Sequence, residues 1–232
     1  MARLVMKFGG TSVGSVERIR NVAQRVKREV DAGHEVAVVV SAMSGETNRL
    51  VDLVSNVSKL HDAREYDVVV SSGEQISVGL VSLALQDIGI SARSWLGWQI
   101  PVKTNAVHSA ARIEDIDCSE VIKRFSEGQV AVCAGFQGIG TDNRITTLGR
   151  GGSDTSAVAL AAVAVLTPRR LPWRRRWRRI VAISIRMWMG FTPPIRGSRQ
   201  RPPNLIKLLM RKCWNWRLSA RRFCRRGPLR WP

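Results

Sequence analysis

Apolar and polar positions alternate along this chain in blocks of two kinds. Leu4-Val5-Met6 is an apolar run within a segment over residues 3–8, and Val36 to Val40 is a second, longer one. Both read as strands buried on both faces. Between them, residues 15–32 repeat apolar positions at helical spacing. Ser15 is placed as N-cap, Glu17 lies near the positive end of the helix, and Gly33 stops it. Further helices are predicted from Glu46 to about His61, from Gly73 to Ile88 with Gly89 closing it, and from Asp154 onward through an Ala- and Val-rich stretch. Ala92 to Trp95 and Val130 to Ala134 are further strand candidates, and Asn143 to Leu148 suggests one arm of a hairpin. Strand–helix alternation of this kind argues for an α/β fold with a mostly parallel sheet covered on both faces.

The turn after the first strand carries the chemistry. Lys7-Phe8-Gly9-Gly10-Thr11-Ser12 runs from a strand end through two glycines toward a helix. Adjacent glycines let backbone N–H groups approach an anion with no Cβ in the way, and a helix N-terminus adds partial positive charge. Lys7 adds a full charge for a transferring phosphoryl group. The pattern is not G-x-x-x-x-G-K-[ST], so it is no Walker A loop. On this motif alone, an ordinary tight strand–helix connection reads the same way. The second glycine-rich stretch, Gly149-Arg150-Gly151-Gly152-Ser153-Asp154, sets an arginine beside glycines, and a guanidinium offers a planar fork to a carboxylate.

Charge divides the chain in two. Of the 37 Lys and Arg, 17 lie in residues 1–154 together with all 18 Asp and Glu, a net −1; residues 155–232 hold the other 20 and no acid, a net +20. The overall +19 therefore describes the tail, and taken as a chain average it would wrongly suggest a nucleic-acid binder. No signal peptide is expected at the N-terminus, and no stretch is expected to span a bilayer. Cys118 and Cys133 lack metal-ligand spacing and read as free thiols, as do Cys213 and Cys224; His34, His61 and His108 also lack ligand spacing.

Four stretches in order, Lys7 to Ser12, Val39 to Gly45, Ser71-Ser72-Gly73-Glu74-Gln75 and Gly149 to Ser156, resemble the aspartate kinases of the amino acid kinase family over residues 1 to about 160. The resemblance implies a three-layer αβα sandwich for a kinase domain over residues 1–165. It implies transfer of the ATP γ-phosphate to the side-chain carboxylate of L-aspartate, the first step toward lysine, threonine and methionine. ATP with Mg2+ is the implied cofactor, the implied location is cytoplasmic, and a homodimer is left open; no membrane or specific nucleic acid is expected as partner. By resemblance Lys7, Phe8, Gly9, Gly10, Thr11 and Ser12 handle the phosphates, with Lys7 and Asp154 catalytic. For Thr11 and Ser12 plain capping stands as an equal reading. Asp154 orients Lys7, organises the metal–phosphate end, or simply caps a helix. Glu74, taken as lying at a helix start, contacts the ammonium of aspartate; Ser41, Thr47 and the backbone of Phe136 line the substrate site. Arg150, Gly151, Gly152 and Ser153 hold the substrate carboxylate. Glutamate 5-kinase, acetylglutamate kinase and uridylate kinase share the implied fold and are the nearest alternatives.

The family continues with a strand and loop of the form Cys-Asp-Ile-Tyr-Thr-Asp-Val-Asp-Gly-Val-Tyr, which handles the nucleotide. Here a basic Trp/Arg/Pro-rich run over residues 166–232 stands instead. The codons of Met187-Trp188-Met189-Gly190, read one nucleotide upstream, encode Val-Asp-Gly. With permitted codons Arg179 to Arg196 can be recoded as Asp-Arg-Cys-Asp-Ile-Tyr-Thr-Asp-Val-Asp-Gly-Val-Tyr-Thr-Thr-Asp-Pro-Arg, and Lys212 to Cys224 as a stretch that resembles the family's next helical segment. The tail thus resembles a frame-shifted continuation, with the shift around residues 160–170. It is expected to be poorly ordered, with the ATP-binding half and the effector-binding domains lost and activity at background. Trp interleaved with Arg over residues 173–179 keeps a nucleic-acid-binding reading open, and an interaction module that has lost catalysis is a third.

Overall fold

The computed structural model of the chain describes residues 2–166, and the expectations for the tail lie outside them. The described elements are, in order, β1 (Arg3–Phe8), a single 3-10 turn (Gly10–Ser12), α1 (Val16–Asp31), β2 (Glu35–Val40), α2 (Glu46–Val57), α3 (Ala63–Asp87), β3 (Ala92–Trp95), β4 (Val102–Thr104), β5 (Ile113–Ile116), α4 (Ser119–Ser126), β6 (Val130–Ala134), β7 (Gln137–Ile139), β8 (Ile145–Thr147) and α5 (Gly152–Leu166).

Four strands form a parallel sheet in the order β1-β2-β6-β3, with Phe8 paired to Val40 and Val40 to Ala134 at one end. Alternation along β2 divides its valines between two cores. Val36, Val38 and Val40 pack with Phe8 of β1, with Ile19, Val22 and Val26 of α1, and with Val78, Val81 and Leu85 of α3. Ala37 and Val39 face the opposite way, toward Val121 and Phe125 of α4 and Ala157, Leu160 and Ala164 of α5. The result is three layers, helix on sheet on helix, as the sequence implied. Burying each of these valines fully is worth roughly 1.5–3 kcal/mol, so a charge at Val38 would break the sheet's centre. A second sheet, β5-β4-β7-β8, is antiparallel except for the β4–β7 pair. The sequence reading found only its β8 arm, because strands of three or four residues carry too little periodicity.

Ser15 caps α1, its side chain accepting from the Arg18 amide, and Gly33 ends that helix at φ 77°. Three expectations are corrected. The helix from Glu46 stops at Val57, not His61; the chain turns so that Asp62 can cap α3 by accepting from the Arg64 amide at 2.8 Å. The helix expected from Gly73 begins ten residues earlier, at Ala63, so Gly73 and Glu74 lie inside it. A glycine there costs about 1 kcal/mol of helix propensity, but a Cβ on Gly73 would come within 2.9 Å of the Ala42 Cβ. Close packing against the loop after β2 therefore outweighs propensity. The last helix begins at Gly152 and takes Asp154 into its first turn.

Contrary to the expectation that no segment is long enough, α3 is long and apolar enough to cross a membrane by length and composition. Half of that apolar stretch is buried, with Val70, Val78, Val81 and Leu85 in the protein core, while Val68, Val69, Ile76 and Leu83 are exposed. Cys118 and Cys133 are free and buried. Burial first, and then the charge of Asp117, push the Cys118 thiol up to about 12; burial likewise pushes Cys133 up. Neither is a nucleophile.

Candidate functional site

The C-terminal ends of β1, β2 and β6 lie side by side along one edge of the parallel sheet, the edge where ligands of such sheets usually sit. β1 delivers Lys7, whose Nζ lies 3.0 Å from Asp154 Oδ1. Asp154 sits in the first turn of α5, where a carboxylate also meets the helix dipole. Residues at opposite ends of the described chain, which the sequence could only associate by motif order, are thus in contact. The Lys7 ammonium lies 3.5 Å from where a Gly9 Cβ would stand, so it folds back over the glycine turn.

The turn is built from close backbone approaches. The Gly10 carbonyl accepts from the amides of Val13, at 3.3 Å, and Ser44, at 3.1 Å, and the Ser12 amide donates to Gly9 O. A Cβ on Gly10 would stand 2.6 Å from the Ala42 carbonyl oxygen, which only glycine avoids. Thr11 is exposed and Ser12 buried. Ser15, not Thr11 or Ser12, caps α1.

Glu74 projects from α3 into the same region. Its Oε1 accepts from the Ala42 amide at 3.0 Å, while Oε2 is buried without a partner. Burial pushes its carboxyl up to about 7, against the opposing pull of the Ala42 amide. A buried carboxylate with one bare oxygen is a seat for a cationic group. Ser41, whose amide donates to Phe8 O, and Thr47, in the first turn of α2, are half-buried on either side of the loop that carries Ala42.

On the third strand, the Gly135 amide donates to Val40 O at 3.0 Å. Phe136 adopts φ 67°, a region costly for a bulky residue, and its amide donates to Ser156 Oγ at 3.1 Å. A Cβ on Gly135 would meet Ser153 at 2.8 Å, and one on Gly152 would meet Phe136 Cδ2 at 2.8 Å. The β6 end and the start of α5 therefore interlock. Ser153 is buried in that seam. Arg150 is exposed, on a turn bent by Gly149 at φ 71° and Gly151 at φ 75°. The expected residues thus fall into a tightly packed group around Gly10, Ala42, Glu74 and Ser153 and an outer arginine.

Sequence reading missed Asp67. This α3 residue is fully buried, and around it stand Thr147, His108 and Ser109. A lone acid in Tyr66-Asp67-Val68-Val69-Val70 was the available signal, since an apolar run tolerates a carboxylate only with partners.

The profile of the Amino acid kinase family matches residues 2–165. Aspartate kinase Ask_LysC of Stutzerimonas stutzeri is 52% identical over 162 residues, which cover 70% of this chain and 39% of that protein. Aspartokinase 2 of Bacillus subtilis is 51% identical over 162 residues, covering 70% and 40%. Among solved structures, aspartate kinase from Synechocystis superposes with a TM-score of 0.59 at 50% identity, covering 70% of this chain and 26% of that one. The chain spans about two fifths of the length of the curated relatives it matches.

Proposed function

This chain belongs to the amino acid kinase family, and on that premise we propose that residues 2–166 form the amino-acid-binding part of an aspartate kinase. The reaction moves the γ-phosphate of ATP to the side-chain carboxylate of L-aspartate and gives 4-phospho-L-aspartate. The observation that carries this reading is the Lys7–Asp154 pair at 3.0 Å beside the Gly9–Gly10 turn, with Glu74 holding a bare buried oxygen in the same region.

Both reactants are anions, so catalysis depends on screening and alignment more than on covalent help. In this reading the charge of Lys7 serves a phosphoryl group and an acceptor carboxylate together, and Asp154, 3.0 Å away, holds its ammonium in place. The backbone of Phe8 to Ser12 cradles the phosphates. Glu74 takes the ammonium of L-aspartate, and Arg150, on its Gly149–Gly152 turn, forks a substrate carboxylate. Ser41, Thr47, Phe136, Gly151, Gly152 and Ser153 close the pocket around the substrate backbone.

Among the described residues no group of three or more His, Cys, Asp or Glu gathers to chelate a metal. Magnesium fits this region only as an ion carried in on the phosphates of ATP, where it neutralises oxygen charge. The proposed setting is the cytoplasm, with a homodimer as the open question of assembly.

Titration of the full chain with L-aspartate and L-glutamate tests the reading. Saturable binding of aspartate that Glu74→Gln removes supports it; equal affinity for both, or none for aspartate, defeats it. The tail, read as a frame-shifted continuation, replaces the family's nucleotide-handling strand. ATP-dependent hydroxamate formation from aspartate and hydroxylamine is therefore expected at background, and turnover like that of an intact relative would overturn this view of the tail. The nucleotide sequence of the gene checks the frame directly.

A further inference from the structure

We infer that Asp67 is a positioning residue for the candidate site, fixing the turn that carries Arg150 relative to Glu74; the substrate roles of those two rest on the proposed function. Asp67 is wholly buried on α3, seven residues before Glu74 and so on nearly the same face of the helix. Its two oxygens collect groups from the end of β8 and from the loop of residues 105–112. Thr147 Oγ1 donates to Oδ1 at 2.6 Å, the Ser109 amide lies 3.1 and 3.0 Å from Oδ1 and Oδ2, and His108 Nδ1 lies 2.8 Å from Oδ2.

Both segments meet the arginine turn. Thr147 ends β8, and Leu148-Gly149-Arg150 follow at once; the Leu148 amide donates to Phe136 O at 2.9 Å. Ser109, held at φ 63°, presses from the other side: its carbonyl would lie 3.3 Å from a Cβ on Gly149. The Ala111 amide closes the arrangement by donating to Thr147 O at 2.8 Å. One buried carboxylate therefore pins the strand before the turn and the loop against it. The helix that holds it also carries the carboxylate that takes the substrate ammonium. Asp67 sets the spacing between the two recognition ends, and with it which chain length of amino dicarboxylate fits.

The test uses the full chain. Thr147→Val keeps volume and removes one donor; Asp67→Asn keeps the shape and an acceptor oxygen. Hydrogen exchange read by mass spectrometry should show amides of residues 108–111 and 149–152 exchanging about tenfold faster in Thr147→Val, the scale of one buried hydrogen bond, with α1 and β2 unchanged. Asp67→Asn should fall between Thr147→Val and the parent. Affinity for L-aspartate should drop about tenfold in Thr147→Val, and the preference over L-glutamate should narrow. Exchange that rises evenly across α1, β2 and β6 would make Asp67 a general core group and overturn the inference. So would an unchanged turn, or a loosened turn with full aspartate affinity and selectivity. If the parent chain binds no aspartate, the functional reading fails, while the exchange pattern still decides whether Asp67 positions the turn.

Discussion

Asp67 and Glu74 occupy the same helix, two turns apart, both buried, and in opposite chemical condition. Asp67 meets a hydroxyl, an amide and an imidazole nitrogen. Glu74 has one amide on one oxygen and nothing on the other. Burial pushes the Glu74 carboxyl up to about 7, which means that the fold holds this carboxylate at a cost. The difference teaches how to sort buried charge. A carboxylate whose oxygens are all met holds the protein together; one left half-bare costs the fold and, under the proposed function, is met by a cation from outside. The two should therefore respond to removal with opposite signs.

The sharpest way to break that comparison is to delete each carboxylate in turn. Asp67→Ala strands the Thr147 hydroxyl, the Ser109 amide and His108 Nδ1 around a cavity, and should destabilise the chain by about 3 kcal/mol or more, read as a lowered midpoint in urea. Glu74→Gln keeps the oxygen that accepts from Ala42 and removes a charge the fold resists. At pH 8 it should leave the chain as stable or more stable, while L-aspartate binding is lost. Equal destabilisation by both would end the distinction.

A pH series sharpens it next. The Glu74 carboxyl goes from its ordinary value near 4.5 in the unfolded chain to about 7 in the folded one. Between those values the folded chain keeps a proton that the unfolded chain has lost, so stability is fullest below pH 4.5. It falls as pH rises and is spent once pH passes 7. The span corresponds to about 3 kcal/mol at 1.36 kcal/mol per unit, and Glu74→Gln should flatten it. L-Aspartate binding should run the other way, strengthening up to about pH 7–8 as Glu74 ionises to meet an ammonium, with proton release measurable in buffers of different ionisation enthalpy.

A smaller effect is expected at Gly73. Helix propensity alone predicts that Gly73→Ala stabilises α3 by about 1 kcal/mol. The 2.9 Å approach to the Ala42 Cβ predicts instead a net loss of about 1–2 kcal/mol. Because the Ala42 amide caps Glu74, the substitution should also weaken aspartate binding. Asp67, six residues earlier on the helix, should keep its partners, so hydrogen exchange at residues 108–111 should stay unchanged.

How far the sequence foretold this arrangement depends on the range of the interaction behind each feature. β1, α1, β2 and β6 were legible because long apolar runs and local caps such as Ser15 act within a few residues. Lys7, the glycine pair and Asp154 were legible as motifs, yet only the fold brings Lys7 and Asp154 to 3.0 Å. The start of α3 was misplaced because Gly73 reads as a breaker, when its reason is a neighbour thirty-one residues away. The second sheet was mostly invisible, since β4, β5 and β7 have three or four residues each. Asp67 escaped for the same reason as Gly73. Its meaning lies in Ser109 and Thr147, forty-two and eighty positions on, and nothing in its own segment names them.

Asp154 supplies the third carboxylate and the mildest test. Unlike the α3 pair it is exposed, with 63% of its side chain open to solvent, and its partner Lys7 is the better buried of the two. Exposed ion pairs contribute about 0–1 kcal/mol, so Asp154→Asn should shift stability by no more than that, and less at high salt. If Asp154 serves only the fold, nothing else should change. If it holds the Lys7 ammonium over the Gly9–Gly10 turn, the variant should alter how the lysine meets anions while aspartate's ammonium still finds Glu74. The decisive comparison is phosphate binding against aspartate binding in Asp154→Asn: a change in the first with the second intact places the carboxylate at the phosphate end. Parallel losses would instead mean that the start of α5 has moved as a unit, carrying Ser153 and the arginine turn with it.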